Sequence, residues 1–233
     1  MKIFFKGFNY SQDGPGNRLV YHLQGCNMHC PWCSNPEGMS FSGGTDYSTE
    51  QIVQECARSR AMFFSGGGVT FTGGEATMQW EELTVILGKL RELKIHTALE
   101  TNGTSPHLPS LQEHVDYLMM DFKHYNEDAF RKFTGVEIAP LLRNYEYLCG
   151  IGRQLHIRIP LINHVNADCP EKFAQILSRH NTANVIFEFL PYHEYGKKKW
   201  KTEYKMTDAF VSAEQIKNFQ KTFADYGLKQ INT

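Results

Sequence analysis

The chain has no run of about 18 apolar residues, so no helix is expected to span a membrane. It also lacks net charge, with 24 Lys and Arg against 25 Asp and Glu. A balance of −1 leaves no electrostatic footprint for a nucleic-acid or anionic-membrane partner. From Met1 to Arg18 there is neither a long apolar centre nor a small-residue cleavage site, so no secretory leader is read there and the expected compartment is the cytoplasm. Internal repeats, low-complexity tracts and linkers are missing too. What remains is 233 residues, 41% of them hydrophobic. That is enough for one substantial core, and the expectation is one monomeric domain over 1–233.

Cysteine is scarce and unevenly placed. Three of the six crowd together as Cys26, Cys30 and Cys33, while Cys56, Cys149 and Cys169 lie far apart. A disulfide framework has no reason to concentrate thiols in this way; a metal or cluster site in a reducing compartment does. Cys56 and Cys149 fall on apolar helix faces, where cysteine is a small core residue.

Hydrophobic periodicity predicts strands at Leu19–Leu23, Val69–Thr72, His96–Leu99, Tyr117–Met120, His156–Ile162 and Val185–Phe189. Helices are predicted after the capping box Ser48–Gln51, over Trp80–Lys94, around Leu141–Cys149 and around Phe173–Leu177. A last helix opens on a second capping box, Ser212–Gln215, and stops at Gly227. A β-α rhythm repeated six times argues a parallel α/β sheet with helical crossovers. Whether it curls into a barrel does not follow from periodicity.

In such folds chemistry collects at the C-terminal ends of the strands. The unusual residues lie there: the cysteines after the first strand, Gly73-Gly74-Glu75 after the second, Glu100-Thr-Asn-Gly103 after the third, Asp121-Phe122-Lys123 after the fourth and Pro191-Tyr-His193 after the sixth. Five loops converging on one face point to an enzyme.

Cys26-x-x-x-Cys30-x-x-Cys33 supplies three thiolates in one loop, one short of the four that close a 4Fe–4S cube. The missing ligand leaves one iron open for a small molecule. The competing reading is a structural Cys3His zinc site with His29 or His22 as fourth ligand, in a binding module without catalysis.

The C-x-x-x-C-x-x-C motif followed by Gly-Gly-Glu resembles the radical S-adenosylmethionine (SAM) superfamily. Asp13-Gly-Pro-Gly-Asn-Arg18, Trp32-Cys-Ser-Asn-Pro-Glu37, Ser65-Gly-Gly-Gly-Val-Thr70 and Leu190-Pro-Tyr-His-Glu-Tyr-Gly196 narrow the resemblance to the glycyl-radical-enzyme activating enzymes, over about residues 10 to 205. The resemblance implies a partial (β/α)6 TIM-like barrel in which Cys26, Cys30 and Cys33 hold a 4Fe–4S cluster. SAM would meet Trp32, Ser34, Gly73, Gly74, Glu75, Asp121, Phe122, Lys123 and His193. A monovalent cation (Na⁺ or K⁺) is implied at Glu100, Thr101, Met119 and Asp121. The family's pyruvate formate-lyase activators carry Asp where this chain has Glu100, an extra methylene that bears on whether that cation site persists. The implied reaction is reductive cleavage of SAM to a 5′-deoxyadenosyl radical, which takes hydrogen from a glycine Cα of a partner glycyl radical enzyme. A small-molecule substrate is the alternative within the superfamily.

Longer activators insert a ferredoxin-like domain after Trp-Cys-Ser-Asn-Pro-Glu, whereas only Gly38 to Tyr47 stand here, without cysteine. The run Lys197-Lys-Lys-Trp-Lys201 reads first as solvated surface. Its functional reading is docking of an acidic flavodoxin- or ferredoxin-type electron donor, or of the partner enzyme.

Overall fold

The computed structural model describes residues 1–10 and 12–231. Its strands are β1 (Lys2–Tyr10), β2 (Asn17–Leu23), β3 (Thr45–Asp46), β4 (Gly68–Gly73), β5 (Thr97–Thr101), β6 (Tyr117–Asp121), β7 (Leu155–Leu161) and β8 (Val185–Pro191). They form one sheet in the order β3-β1-β2-β4-β5-β6-β7-β8. From β2 onward every neighbouring pair is parallel. The order is linear, so the six parallel strands form an open, partial barrel, as the family resemblance implied.

The crossovers are α1 (Thr49–Arg58), α2 (Trp80–Glu92), the short α3 (Leu108–Leu111), α4 (Glu127–Thr134) with α5 (Ala139–Gly150), and α6 (Pro170–Leu177). A final helix, α7 (Ala213–Asp225), packs on α6 and β8. Both capping boxes form, with Ser48 and Ser212 each accepting from the backbone N–H three residues on. None of these helices is long and apolar enough to cross a membrane.

The structure adds two strands and two helices, α3 and α4, to the periodicity reading. β1 pairs antiparallel with β2 through a register shift between Ile3 and Phe5. That shift breaks the period-2 pattern, and Phe5, Phe8 and Tyr10 stay exposed, so β1 has no alternation to read. β3 pairs with β1 in the stretch between the cysteine loop and α1. In α4 only Phe130 and Thr134 are buried, too few to make an apolar stripe. Its ends were legible, however: the Asn126 side chain accepts from Ala129 N at 2.9 Å, and Gly135 closes it at φ +83°. β5 runs on through Glu100 and Thr101, so the turn starts only at Asn102.

Alternation sorts the two faces of each strand. On β7, Ile157, Ile159 and Leu161 pack outward under the helices, while Arg158 and Pro160 line the concave face. The outer layer is aromatic: Phe122, Tyr145, Phe173, Phe187, Phe219 and Phe223 are fully buried. Phe189 meets Phe223 edge-on at 4.9 Å.

Candidate active site

A cavity of about 460 Å³ opens at the C-terminal ends of the parallel strands. Cys26, Cys30 and Cys33 line one wall of it, and all three are free thiols. Gly25, at φ +99°, turns the chain out of β2, and the loop returns through Gly25 N to Gly38 O and Cys26 N to Met39 O. Met28 N donates to Cys26 Sγ at 3.3 Å and Asn35 N to Cys33 Sγ at 3.4 Å. Such donors stabilise thiolate, but without a metal burial dominates and pushes the Cys26 and Cys30 thiols up to about 12. All three cysteines line that cavity, and backbone N–H groups donate to two of the sulfurs. That arrangement fits a multi-iron cluster.

A Cys3His zinc site would need His29 or His22 beside the thiols, and of the two only His22 lines the same cavity. Among the described residues no three His, Cys, Asp or Glu side chains gather closely enough to share one ion. His29 is turned away, its ring against Gly135 at the end of α4 and its backbone N–H on Thr134 O. The His22 ring lies against Phe4 and Phe5 at 5.7 and 5.3 Å.

Gly73-Gly74-Glu75 faces the cysteine loop. Gly74 N donates to Leu23 O and Glu75 N to Gly25 O, both at 2.8 to 2.9 Å. A Cβ on Gly74 would meet Gly25 O at 2.3 Å and Gly38 O at 2.4 Å. The glycines are therefore demanded by the protein's own backbone, quite apart from any ligand. The Glu75 carboxylate, 2% exposed, accepts from Thr77 N, Thr77 Oγ1, Thr101 Oγ1 and Asn102 N. It ties the end of β4 to the end of β5. Burial raises its pKa and these donors oppose the rise.

Across the cavity the charged side chains of β5, β6 and β7 form one network. Arg158 Nη1 donates to Glu100 Oε1 at 2.7 Å, and Arg158 Nε donates to Asp121 Oδ1 at 3.0 Å. Lys123 Nζ donates to Asp121 Oδ2 at 2.8 Å and Thr72 Oγ1 to Glu100 Oε2 at 2.5 Å. Burial alone would raise the Asp121 carboxyl, but Lys123 and Arg158 outweigh it and bring it down to about 2. Glu100 shifts upward because its burial outweighs Arg158.

Trp32, Ser34 and His193 also line the cavity. Trp32 packs on Phe133 at 5.6 Å, and His193 stacks on Tyr195 at 4.1 Å. Burial lowers the His193 pKa, which favours the neutral ring. Two predicted site residues are not brought to the cavity surface. Phe122 lies in the outer core against Tyr145 and Phe173, and Met119 is buried below the cavity floor, close to Gly14. The lysine run is partly tied down. Lys197 pairs with Glu194, Lys199 bonds Asn35 and pairs with Glu37, and Trp200 Nε1 donates to Cys33 O at 3.2 Å.

Sequence reasoning missed Arg158, Thr72 and Asn102. The signal for Arg158 was present: a lone cation alternating with Ile157 and Ile159 in a strand, in register opposite Asp121. Arg18 of the Asp13–Arg18 motif proves to be a clamp. Fully buried, it donates to Thr70 Oγ1, Pro15 O and Val69 O, while Thr70 Oγ1 donates to Asp13 O and sets Asp13 at the cavity rim.

Comparison with known proteins gives the same picture. The profile of the Radical SAM superfamily matches residues 20–177. A pyruvate formate-lyase-activating enzyme of Clostridium pasteurianum is 32% identical over 218 residues, covering 90% of this chain and 91% of that protein. The Staphylococcus aureus enzyme of the same name is 32% identical over 202 residues, covering 82% of this chain and 80% of its own. Among solved structures, a domain of pyruvate-formate lyase-activating enzyme from Bacteroides vulgatus superposes with a TM-score of 0.61 at 29% identity, covering 71% of this chain and 98% of that one. Streptococcus suis SuiB bound to S-adenosylmethionine superposes with a TM-score of 0.68 over 92% of this chain and 49% of its own; at 14% identity it speaks for the fold alone.

Proposed function

The chain belongs to the radical SAM superfamily and, within it, to the glycyl-radical-enzyme activating enzymes, and on that premise we propose that it generates a glycyl radical on a partner enzyme. The observation that carries this is the single cavity shared by Cys26, Cys30, Cys33, the Gly73–Glu75 turn, Asp121, Lys123 and His193. Cys26, Cys30 and Cys33 would hold a 4Fe–4S cluster. Bound there with SAM, it would supply the electron that splits SAM into methionine and a 5′-deoxyadenosyl radical able to take hydrogen from a glycine Cα.

The protein's own part is positioning and exclusion of water. Gly74 and Glu75 commit their N–H groups to Leu23 O and Gly25 O, so what the turn offers an incoming ammonium is carbonyl oxygen. Glu75 acts through others: it holds Thr77, Thr101 and Asn102 and so fixes the turn that would face the methionine end. Lys123 and Arg158 put positive charge where a carboxylate would lie. Trp32 and Ser34, beside the last cysteine, would meet the adenine, and neutral His193 has one ring nitrogen to offer SAM. A glycine-bearing peptide loop would cross the open rim near Asn9, Gln12 and Asp13.

The electron would come from an acidic flavodoxin- or ferredoxin-type donor. Lys197 and Lys199 lie on the segment that covers the outer side of the cysteine loop, and Gly196 sits so close that a Cβ would meet Cys33 O at 2.5 Å. Six free thiols suit a reducing compartment, consistent with the cytoplasm. The test is anaerobic reconstitution, reduction and assay for 5′-deoxyadenosine with and without candidate glycyl radical enzymes, with electron paramagnetic resonance on the partner. A glycyl radical signal is expected. Turnover of a metabolite with no partner polypeptide would replace this reading with a small-molecule one.

A further inference from the structure

The place where the family resemblance implies a monovalent cation is already charge-balanced by the protein. Glu100 and Asp121 are the two anionic members of that set, and the guanidinium of Arg158 lies between them, 2.7 Å from Glu100 Oε1 and 3.0 Å from Asp121 Oδ1. Their other oxygens are taken as well, Glu100 Oε2 by Thr72 and Asp121 Oδ2 by Lys123. Two carboxylates thus face two cationic side chains. The Thr101 hydroxyl donates to Glu75 and accepts from Gly103 N, so it is occupied too. The Met119 side chain is a buried thioether, a soft group ill-suited to a hard cation. An alkali ion would have to displace hydrogen bonds and sit against a fixed positive charge in a poorly solvated site, where like-charge repulsion is strong. The residues present do not fit a bound Na⁺ or K⁺.

The extra methylene at position 100 accounts for the difference. An aspartate there would fall short of Arg158 by about 1.5 Å, one carbon–carbon bond. The contact with the arginine would then open into a gap. Glutamate closes that gap onto the arginine. Nη1, Nε and Nη2 of Arg158 each engage a carboxylate, which leaves two of the five N–H groups of the guanidinium for the cavity that Arg158 lines.

We infer that the Arg158 guanidinium stands in for the monovalent cation, supplying the positive charge between Glu100 and Asp121, so that SAM binds without Na⁺ or K⁺. Arg158 is a positioning residue in this scheme, and the inference rests on the SAM-binding reading above. The cluster-loaded chain is dialysed into sodium, potassium or tetramethylammonium chloride at equal ionic strength. SAM affinity is measured by equilibrium dialysis, and thallium(I) NMR reports any bound alkali-like ion independently of SAM. Affinities within about twofold of one another across the three salts, with no saturable bound thallium signal, are expected. Binding about tenfold weaker in tetramethylammonium, or a bound thallium resonance, would overturn the inference. The double variant Glu100→Asp/Arg158→Met should acquire a cation requirement that the parent lacks; if it does not fold, the two measurements on the parent still decide. Failure to bind SAM in every salt would sink the SAM-binding reading, and the thallium measurement would then judge the arginine claim by itself.

Discussion

With the Cys26 and Cys30 thiols pushed up to about 12 by burial, iron loading must displace protons from them. Cys30→Ala should lose the iron–sulfur chromophore and all 5′-deoxyadenosine formation. Cys149→Ala should keep both and cost about 1 kcal/mol in unfolding free energy, because Cys149 is packing on α5. A chromophore retained in the first variant would contradict the ligand assignment. Asp121 makes a different prediction. Its folded pKa, about 2, lies below its unfolded value of about 4, so its ion pairs stabilise the fold fully above pH 4. That contribution, on the order of 2 kcal/mol, is lost as pH falls from about 4 towards 2. Denaturant titrations of the metal-free chain over this range should give a shallower pH slope for Asp121→Asn than for the parent. Equal slopes would place the acid sensitivity elsewhere. At this scale the cysteines, glycines and Asp-Phe-Lys were legible because each belongs to a local motif. Arg158 was not, because its meaning comes from partners 37 and 58 residues away.

Helix ends were the best-read elements, since caps are written in three or four consecutive residues: Ser48 with Gln51 and Ser212 with Gln215 formed as expected. Glycines separate local from tertiary causes. Gly88 lies within α2 with nothing inside 4 Å of a Cβ, so Gly88→Ala should stabilise the chain by about 1 kcal/mol through helix propensity. Gly74→Ala would drive a methyl group into two backbone carbonyls and should destabilise by about 3 kcal/mol or more, with impaired cluster loading. Thermal melts of the two variants check both signs. Nothing in the sequence around Gly-Gly-Glu distinguishes a turn glycine from one pressed against a neighbouring loop, and nothing there shows that the Glu75 side chain reaches Thr101 and Asn102.

Across the whole molecule, the thiol loop and the Lys197–Lys199 segment make one surface, because Trp200 and Gly196 pack on Cys33 and Lys199 reaches Asn35 and Glu37. Reversing charge at Lys197 and Lys198 should slow cluster reduction by an acidic donor at low salt and leave it unchanged at about 1 M salt, where screening falls within about 3 Å. Identical stopped-flow rates at low salt would return the run to plain solvated surface. The sequence by itself determined the six β-α units, the strand-end position of every motif and the shortage of a fourth thiolate, because hydrophobic period, caps and spacing are all encoded within a few residues. Only the tertiary structure decided that β1 and β3 extend the sheet on one side and that Glu75 works within the frame. It alone brought Arg158 between Glu100 and Asp121, since such contacts join distant strands and depend on register, reach and burial.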